Sequence, residues 1–330
     1  MRINGTLDAR GSSDKKINFV ISGSSDSQSA IQFVAGSTPW NEQTRSGSIM
    51  ENAIITSTWG PTPAIQINNA EPKINNNTIF AGSATAIQVT SFGLPYGVSS
   101  TTSPVISNCT IHTNGYGIEL DFCNATICNN NINCDFGIGT GGGYGSICGN
   151  VIYGSIIGIH SYDTNITIQN NLLVNNTTGI ELGHYDAWWE HNSKAVLVNN
   201  TFSNNSHALQ INGQLNPIIT YNNFLNNQYN VFLKFEPPSS YSSSDINATY
   251  NWWGTTDTQT INQTIYDFDN DFTLGTVTFV PFLTSPNPDA PIIPELSSFV
   301  LVLSIIVVSI FALVSKKRQA SKSVKPLSPL

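Results

Sequence analysis

The residues able to do chemistry are few and fall into two groups. Glu119, Asp121, His160, Tyr162 and Glu181 form a sparse series in the middle of the chain. A dense run follows, His184-Tyr-Asp-Ala-Trp-Trp-Glu-His191, which contributes His184, Asp186, Trp188 and Trp189. Aromatic rings beside carboxylates and imidazoles suit saccharide recognition, because a ring packs on the apolar face of a sugar while polar groups bond its hydroxyls. Paired carboxylates could instead cleave a glycosidic bond. Further on, Asp267, Asp269 and Asp271 alternate in the run D-F-D-N-D, an oxygen-rich set suited to calcium as a cofactor. An EF-hand loop would need Gly at its sixth position, where Phe272 stands, so a solvated capping loop is the competing reading.

What positions these groups is a repeat. In the stretch 166–182, ITIQNNLLVNNTTGIEL, an Asn follows Ile168 at plus three, an apolar residue at plus five and a Gly-Ile pair at plus eleven and twelve. The pattern I-x-x-N-x-[apolar] recurs from Ile49, Ile74, Ile106, Ile127, Ile147, Leu197 and Ile219, and weakly from Ala248; Cys109 breaks the Asn column once. A second apolar column runs Ile65, Ile87, Ile118, Ile138, Ile159, Ile180, Leu209 and Val231. A fixed period of about 20 residues marks a solenoid. Its segments are short, β-branched and alternating, separated by Gly, Asn and Ser, which reads as strand. The expected fold is all-β: a parallel β-helix of about ten coils, each about 4.8 Å above the last, with Asn side chains hydrogen-bonded along one turn.

On these repeats the chain resembles the right-handed parallel β-helix superfamily, the pectate-lyase-like solenoids. More narrowly it resembles the NosD-type repeats, also called carbohydrate-binding and sugar-hydrolysis domains. The run Asn251-Trp-Trp-Gly-Thr resembles the closure that follows such repeats in microbial, especially archaeal, surface proteins. The resemblance spans 1–283, with 1–48 expected as irregular first coils and 248–283 as a C-terminal cap. It implies Trp252 and Trp253 closing the core, and copper only loosely, since two Met and scattered His give no compact soft-ligand set.

Composition narrows the class. The 330 residues carry a formal net charge of −8, with 10% charged and 40% hydrophobic residues. An acidic chain without Lys or Arg between Lys73 and Lys194 argues against nucleic acid as a partner. Met1 and Arg2 lead straight into strand-like sequence, so the expectation is a truncated start or a cap lying upstream. Sequons such as Asn76, Asn108, Asn175 and Asn204 are frequent, and an extracellular glycoprotein is expected. Cys109, Cys123, Cys128, Cys134 and Cys148 form no C-x-x-C pair. Cys128 and Cys148 share a register in adjacent coils, which allows a disulfide; a stack of small buried thiols is the alternative.

The C-terminal end reads differently. Residues 284–296 form a Pro-rich linker, and 297–315 are uncharged and apolar, about 28 Å as a helix and long enough to span a bilayer. The tail 316–330, with Lys316, Lys317, Arg318, Lys322 and Lys325, is expected in the cytoplasm, leaving the solenoid at the cell surface. The lead-in Pro294-Glu-Leu resembles archaeal sorting signals of the Pro-Glu-Phe type, from which the longer tail departs.

The second apolar column faces inward, so its plus-one and plus-three neighbours face out. Three long insertions, 91–104, 183–194 and 236–245, leave from one corner beside that face, where binding loops collect. Catalysis is harder to place. The resemblance to polyuronate lyases implies calcium and an Arg or Lys base, which the central coils lack, and the polygalacturonase motifs N-T-D, G-H-G and R-I-K are absent. Glu119 and Glu181 should lie three coils apart, about 14 Å, beyond the reach of a glycosidase pair. Asp121 and Asp163, two coils apart, are marginal, while His160 and Glu181 are one coil apart. No residue is therefore assigned a catalytic role. The expectation is a membrane-anchored surface protein that binds polysaccharide or cell-surface glycan or serves in adhesion. The alternatives are a polysaccharide lyase or glycoside hydrolase, and a purely structural surface-layer protein.

Overall fold

The computed structural model describes residues 1–22, 30–57, 62–91, 102–183, 194–213, 215–235 and 243–293, with Asp163 described by its backbone alone. Residues 1–292 form one compact unit. The described strands join, nearly all in parallel, into a curled solenoid-like sheet that is compatible with a parallel β-helix.

Register resolves the sheet into three columns. The first stacks Ile49–Glu51, Lys73–Asn75, Val105–Ser107, Thr126–Cys128, 146–148, 167–169, Val196–Val198 and Ile218–Thr220. The second stacks Ala53–Ser57, Thr78–Phe80, 110–112, 131–133, Val151–Tyr153, Leu172–Val174, Thr201–Ser203 and Asn223–Leu225. The third runs from Arg2–Ile3 to Ile265–Tyr266 through eleven stacked segments, close to the ten coils expected. Met1–Ile21 already supplies a segment to each column, pairing with the coil above it.

Alternation explains the core. Ile74, Ile106, Ile127, Ile147 and Ile168 in the first column, Ile79, Ile111, Ile132 and Ile152 in the second, and Ile87, Ile118 and Ile159 in the third are fully buried. One register differs from the expected one. Lys73 pairs with Ile49, and Ile74 with Met50, so the repeat there starts at Met50; Met50 and Ile55 are buried, and Ala53 holds the ladder position. Asn52 instead occupies the left-handed corner, φ 51°. Two adjacent apolar residues, Ile49 and Met50, made either register compatible with the pattern.

The Asn column forms the expected ladder. The side-chain carbonyl of each Asn accepts from the backbone N–H of the coil before it. Asn150 Oδ1 accepts from Asn130 N at 2.9 Å and Asn130 Nδ2 at 3.0 Å; Asn171 accepts from Asn150, Asn200 from Asn171, Asn222 from Asn200 and Asn251 from Asn222. Each Nδ2 also donates to a backbone carbonyl of the preceding coil, as Asn171 does to Ile147 at 2.9 Å. A second, shorter ladder, Asn176–Asn205–Asn227, runs along the next corner. The residue before each rung turns the chain with positive φ, and Asn tolerates this better than most residues.

The C-terminal end closes on aromatics. Phe202, Phe224 and Trp253 stack at centroid spacings of 5.0 and 4.8 Å, and Phe279 packs edge-on against Trp253. A short helix, Thr258–Gln263, begins at Asp257, whose side chain accepts from Thr260 N. Six residues are too few to show a helical period in sequence, so this element was not expected. Cys128 and Cys148 are joined as a disulfide across adjacent strands, while Cys109, Cys123 and Cys134 are buried thiols.

After the cap, the chain read as a linker lies against the solenoid as far as Ile292 and runs back along it. Leu283 N donates to Asn251 O. Asn287 exchanges bonds with Asn223 and donates to Asn199 Oδ1 and Tyr221 O. Thr201 Oγ1 then donates to Pro291 O at 2.6 Å. No helix among the described residues is long and apolar enough to cross a membrane, and 297–315 lies outside them.

Candidate functional site

The expected outward face is the third column. Strand alternation sends Ile118, Ile138, Ile159 and Ile180 inward, which leaves the next residues on the surface row. Register aligns that row as Gln66, Gln88, Glu119, Gly139, His160, Glu181, Gln210, Phe232 and Tyr266. A parallel row holds Asn68, Thr90, Asp121, Gly141, Tyr162 and Gly183. Glu119 and Glu181 are three strands apart, as the spacing required.

The structure brings Tyr162, Glu181 and Asn212 together. Tyr162 Oη donates to Glu181 Oε1 at 2.9 Å, and Asn212 Nδ2 donates to the same oxygen at 2.7 Å. Gln210 Nε2 donates to Asn212 Oδ1, extending the network by one link. Glu181 is 8% exposed, so its carboxylate is a buried, bonded acceptor and less open than an exposed floor would be. The Tyr162 ring lies flat over Gly183, where a Cβ would come within 2.5 Å of it, and His160 meets that ring edge-on at 4.1 Å. Glycine at 183 is therefore the residue that lets the ring lie down.

Glu119 and Asp121 sit further back along the same face. Glu119 Oε2 accepts from Gln88 Nε2 at 3.1 Å. Burial pushes the Asp121 carboxyl up to about 6, and the negative charge of Glu119 adds to the shift. Over the glycines that follow, Tyr116 covers Gly139 and Phe122 covers Gly142, and Tyr116 stacks on Phe136 at 4.8 Å. The glycine dip is thus roofed by rings.

Sequence reasoning missed the aromatic end of the row. His207 and Tyr229 stack at 5.6 Å, Phe232 and Tyr266 at 4.6 Å, and Phe232 meets both His207 and Tyr229 edge-on. All four are half-buried. The alternation of Phe232 and Tyr266 with Val231 and Ile265 was the available signal, whereas His207 and Tyr229 stand two residues before the inward Leu209 and Val231 and break it. His184, Asp186, Trp188 and Trp189 lie outside the described residues, as do 92–101 and 236–242. These three stretches follow strands of the same column, ending at Thr90, Gly183 and Lys234.

Asp267, Asp269 and Asp271 do not converge. Asp267 accepts from Val277 N and Asp269 N, and Asp271 accepts from Thr273, so these two carboxylates fold the loop. Among the described residues no group of three or more His, Cys, Asp or Glu is placed to hold a metal ion. No protein-family model matches the chain, and comparison with curated proteins and with solved structures gives no significant match.

Proposed function

We propose that this chain is a member of the right-handed parallel β-helix superfamily, carried at a cell surface by a membrane span at 297–315, and that it binds glycan. The observation that carries the reading is the third column's outward row, where amides and carboxylates pass directly into a cluster of rings. A row of fixed hydrogen-bonding groups spaced by one strand, beside rings that stack on sugar faces, suits an extended polysaccharide. The disulfide supports an oxidising exterior. The test is a glycan array probed with the wild type, Phe232→Ala, Trp188→Ala and Trp189→Ala, each checked for an unchanged melting temperature. Stacking is worth on the order of 1 kcal/mol, so losing a contacting ring should weaken binding several-fold. A wild type that binds no glycan, or ring variants that all bind equally well, removes this reading in favour of a structural surface protein.

A second reading, glycoside hydrolysis, has one observation in its favour. Asp121 holds its proton to unusually high pH, as a general acid must, and Glu119 lies two residues away on the same face. That spacing is about 7 Å along a strand, inside the span of catalytic pairs. Release of reducing ends from the bound glycan, abolished by Asp121→Asn, would identify an enzyme.

A further inference from the structure

We infer that the solenoid carries an N-linked oligosaccharide at Asn175, and that its ladder and its C-terminal strap withhold neighbouring sequons. The inference rests on the reading that the solenoid stands outside the cell. The run Asn175-Asn176-Thr177-Thr178 contains two overlapping sequons, and nothing in their spelling separates them. The fold does. Asn175 turns the corner after the second column with φ 55°, and its side chain is exposed and makes no hydrogen bond among the described residues. Thr177, the hydroxyl residue of the same sequon, is exposed as well. Asn176 is buried and donates from Nδ2 to Ile152 O at 3.2 Å and to Asn205 Oδ1 at 3.1 Å. That nitrogen is the atom that would have to react, so a sugar on Asn176 would break the second ladder.

Other sequons are held in different ways. At the first corner Asn76 Nδ2 donates to Asn52 Oδ1 at 2.6 Å, and Asn108 Nδ2 to Asn75 Oδ1 at 2.8 Å. The sequon Asn199-Asn200-Thr201 is shut by residues 283–292, the strap that runs back along the solenoid. Asn287 Nδ2 donates to Asn199 Oδ1, and Thr201 is buried with its hydroxyl donating to Pro291 O. Asn204 repeats the free corner one strand on, but its Ser206 is half-buried where Thr177 is exposed. It also lies about 4.8 Å from Asn175, where a second oligosaccharide is crowded. Transfer to Asn175 joins Nδ2 to the anomeric carbon of a lipid-diphosphate-linked oligosaccharide. The bond from that carbon to the diphosphate oxygen breaks, the lipid diphosphate leaves with the electron pair, and a base of the transferase takes the proton that Nδ2 loses. Asn175 precedes the third-column strand Thr178–Gly183, so the glycan stands beside the outward row and not on it.

The experiment incubates the folded full chain in detergent with a single-subunit oligosaccharyltransferase and a lipid-diphosphate-linked oligosaccharide, then maps each sequon by mass spectrometry. Peptides 171–181 and 195–205 are the unfolded references, reporting what the transferase accepts without a fold. Occupancy at Asn175 at least about tenfold above that at Asn176 and Asn199 is expected, since those two react only through local opening. Asn287→Ala, checked for strand content by circular dichroism, should release the strap and raise Asn199 several-fold while Asn176 stays bare. A folded chain modified at Asn176, Asn199 or Asn204 in preference to Asn175, or bare at Asn175 while peptide 171–181 is modified, overturns the inference. An Asn199 still bare in Asn287→Ala refutes the gating by the strap. The same map is then made on chain purified from the cells that produce it. Bare Asn175 on chain that added protease removes from intact cells overturns the modification while the exterior reading stands. Bare Asn175 on chain that the protease cannot reach removes that reading and the inference with it.

Discussion

Among the described residues, Asp121 is the carboxyl whose titration the fold changes most visibly. Its folded value of about 6 lies above the ordinary aspartate value of 3.8, through burial first and Glu119 second. The folded state thus binds a proton that the unfolded state releases at lower pH. The favourable contribution is complete below about pH 4 and is lost as pH rises through about 6. Urea midpoints should accordingly fall for the wild type between pH 4.5 and 7.5. Asp121→Asn should flatten that dependence and be the more stable protein at pH 7.5. An unchanged pH profile in the variant would show that the carboxyl is solvated. The three free thiols follow the same rule of burial: Cys109, Cys123 and Cys134 are all pushed up to about 12, which leaves them packing groups without nucleophilic character.

Among the elements, the Asn ladder decides most. Asn171 is fully buried, accepts from Asn150, and donates to Ile147 O and Asn200 Oδ1. Replacing it with Ala strands several buried partners at about 1–3 kcal/mol each, so Asn171→Ala should cost at least about 3 kcal/mol in a denaturant titration. Cys109 gives the opposite sign. It fills the ladder position without an amide, although its N–H already meets Asn130 Oδ1. Cys109→Asn restores the missing rung and should stabilise by about 1 kcal/mol, the net worth of a made hydrogen bond. The main ladder was legible because Asn recurred at one offset from an apolar residue. The second ladder was not, because it has only three rungs, Asn176, Asn205 and Asn227, and Ser155 stands at that position in the coil before, too short a run to stand out as a column.

At the scale of the molecule, a solenoid needs its ends and its edges managed, and sequence periodicity describes neither. The outward row of the third column could be read from alternation alone, and Glu119, His160 and Glu181 stand where the spacing put them. Which of them is buried could not, since that depends on Tyr162 lying over a glycine one strand away. The strap was illegible for a different reason. It has no period, and its docking depends on Asn287, which makes four bonds to three solenoid residues, Asn223, Asn199 and Tyr221. A chain ending at Leu283 should keep a strand spectrum with very little helix, yet melt at lower temperature than one ending at Ile292. Equal melting temperatures would show that the strap adds nothing to stability.

The ladder also gives the molecule a direction. Every side-chain carbonyl from Asn150 to Asn251 faces the earlier coil. A coil whose upper and lower surfaces carry the same amide in the same sense can be copied next to itself without a clash. Asn130, Asn150 and Asn171 are 20 and 21 residues apart along the chain and occupy equivalent rungs. Tandem duplication of such a unit in a gene would lengthen the product by one storey with both neighbours satisfied, whereas a partial copy would leave a rung facing nothing. The lengths open to descendants of this sequence are therefore quantised, and Cys109 marks the one storey from Asn77 to Asn251 whose rung carries no amide.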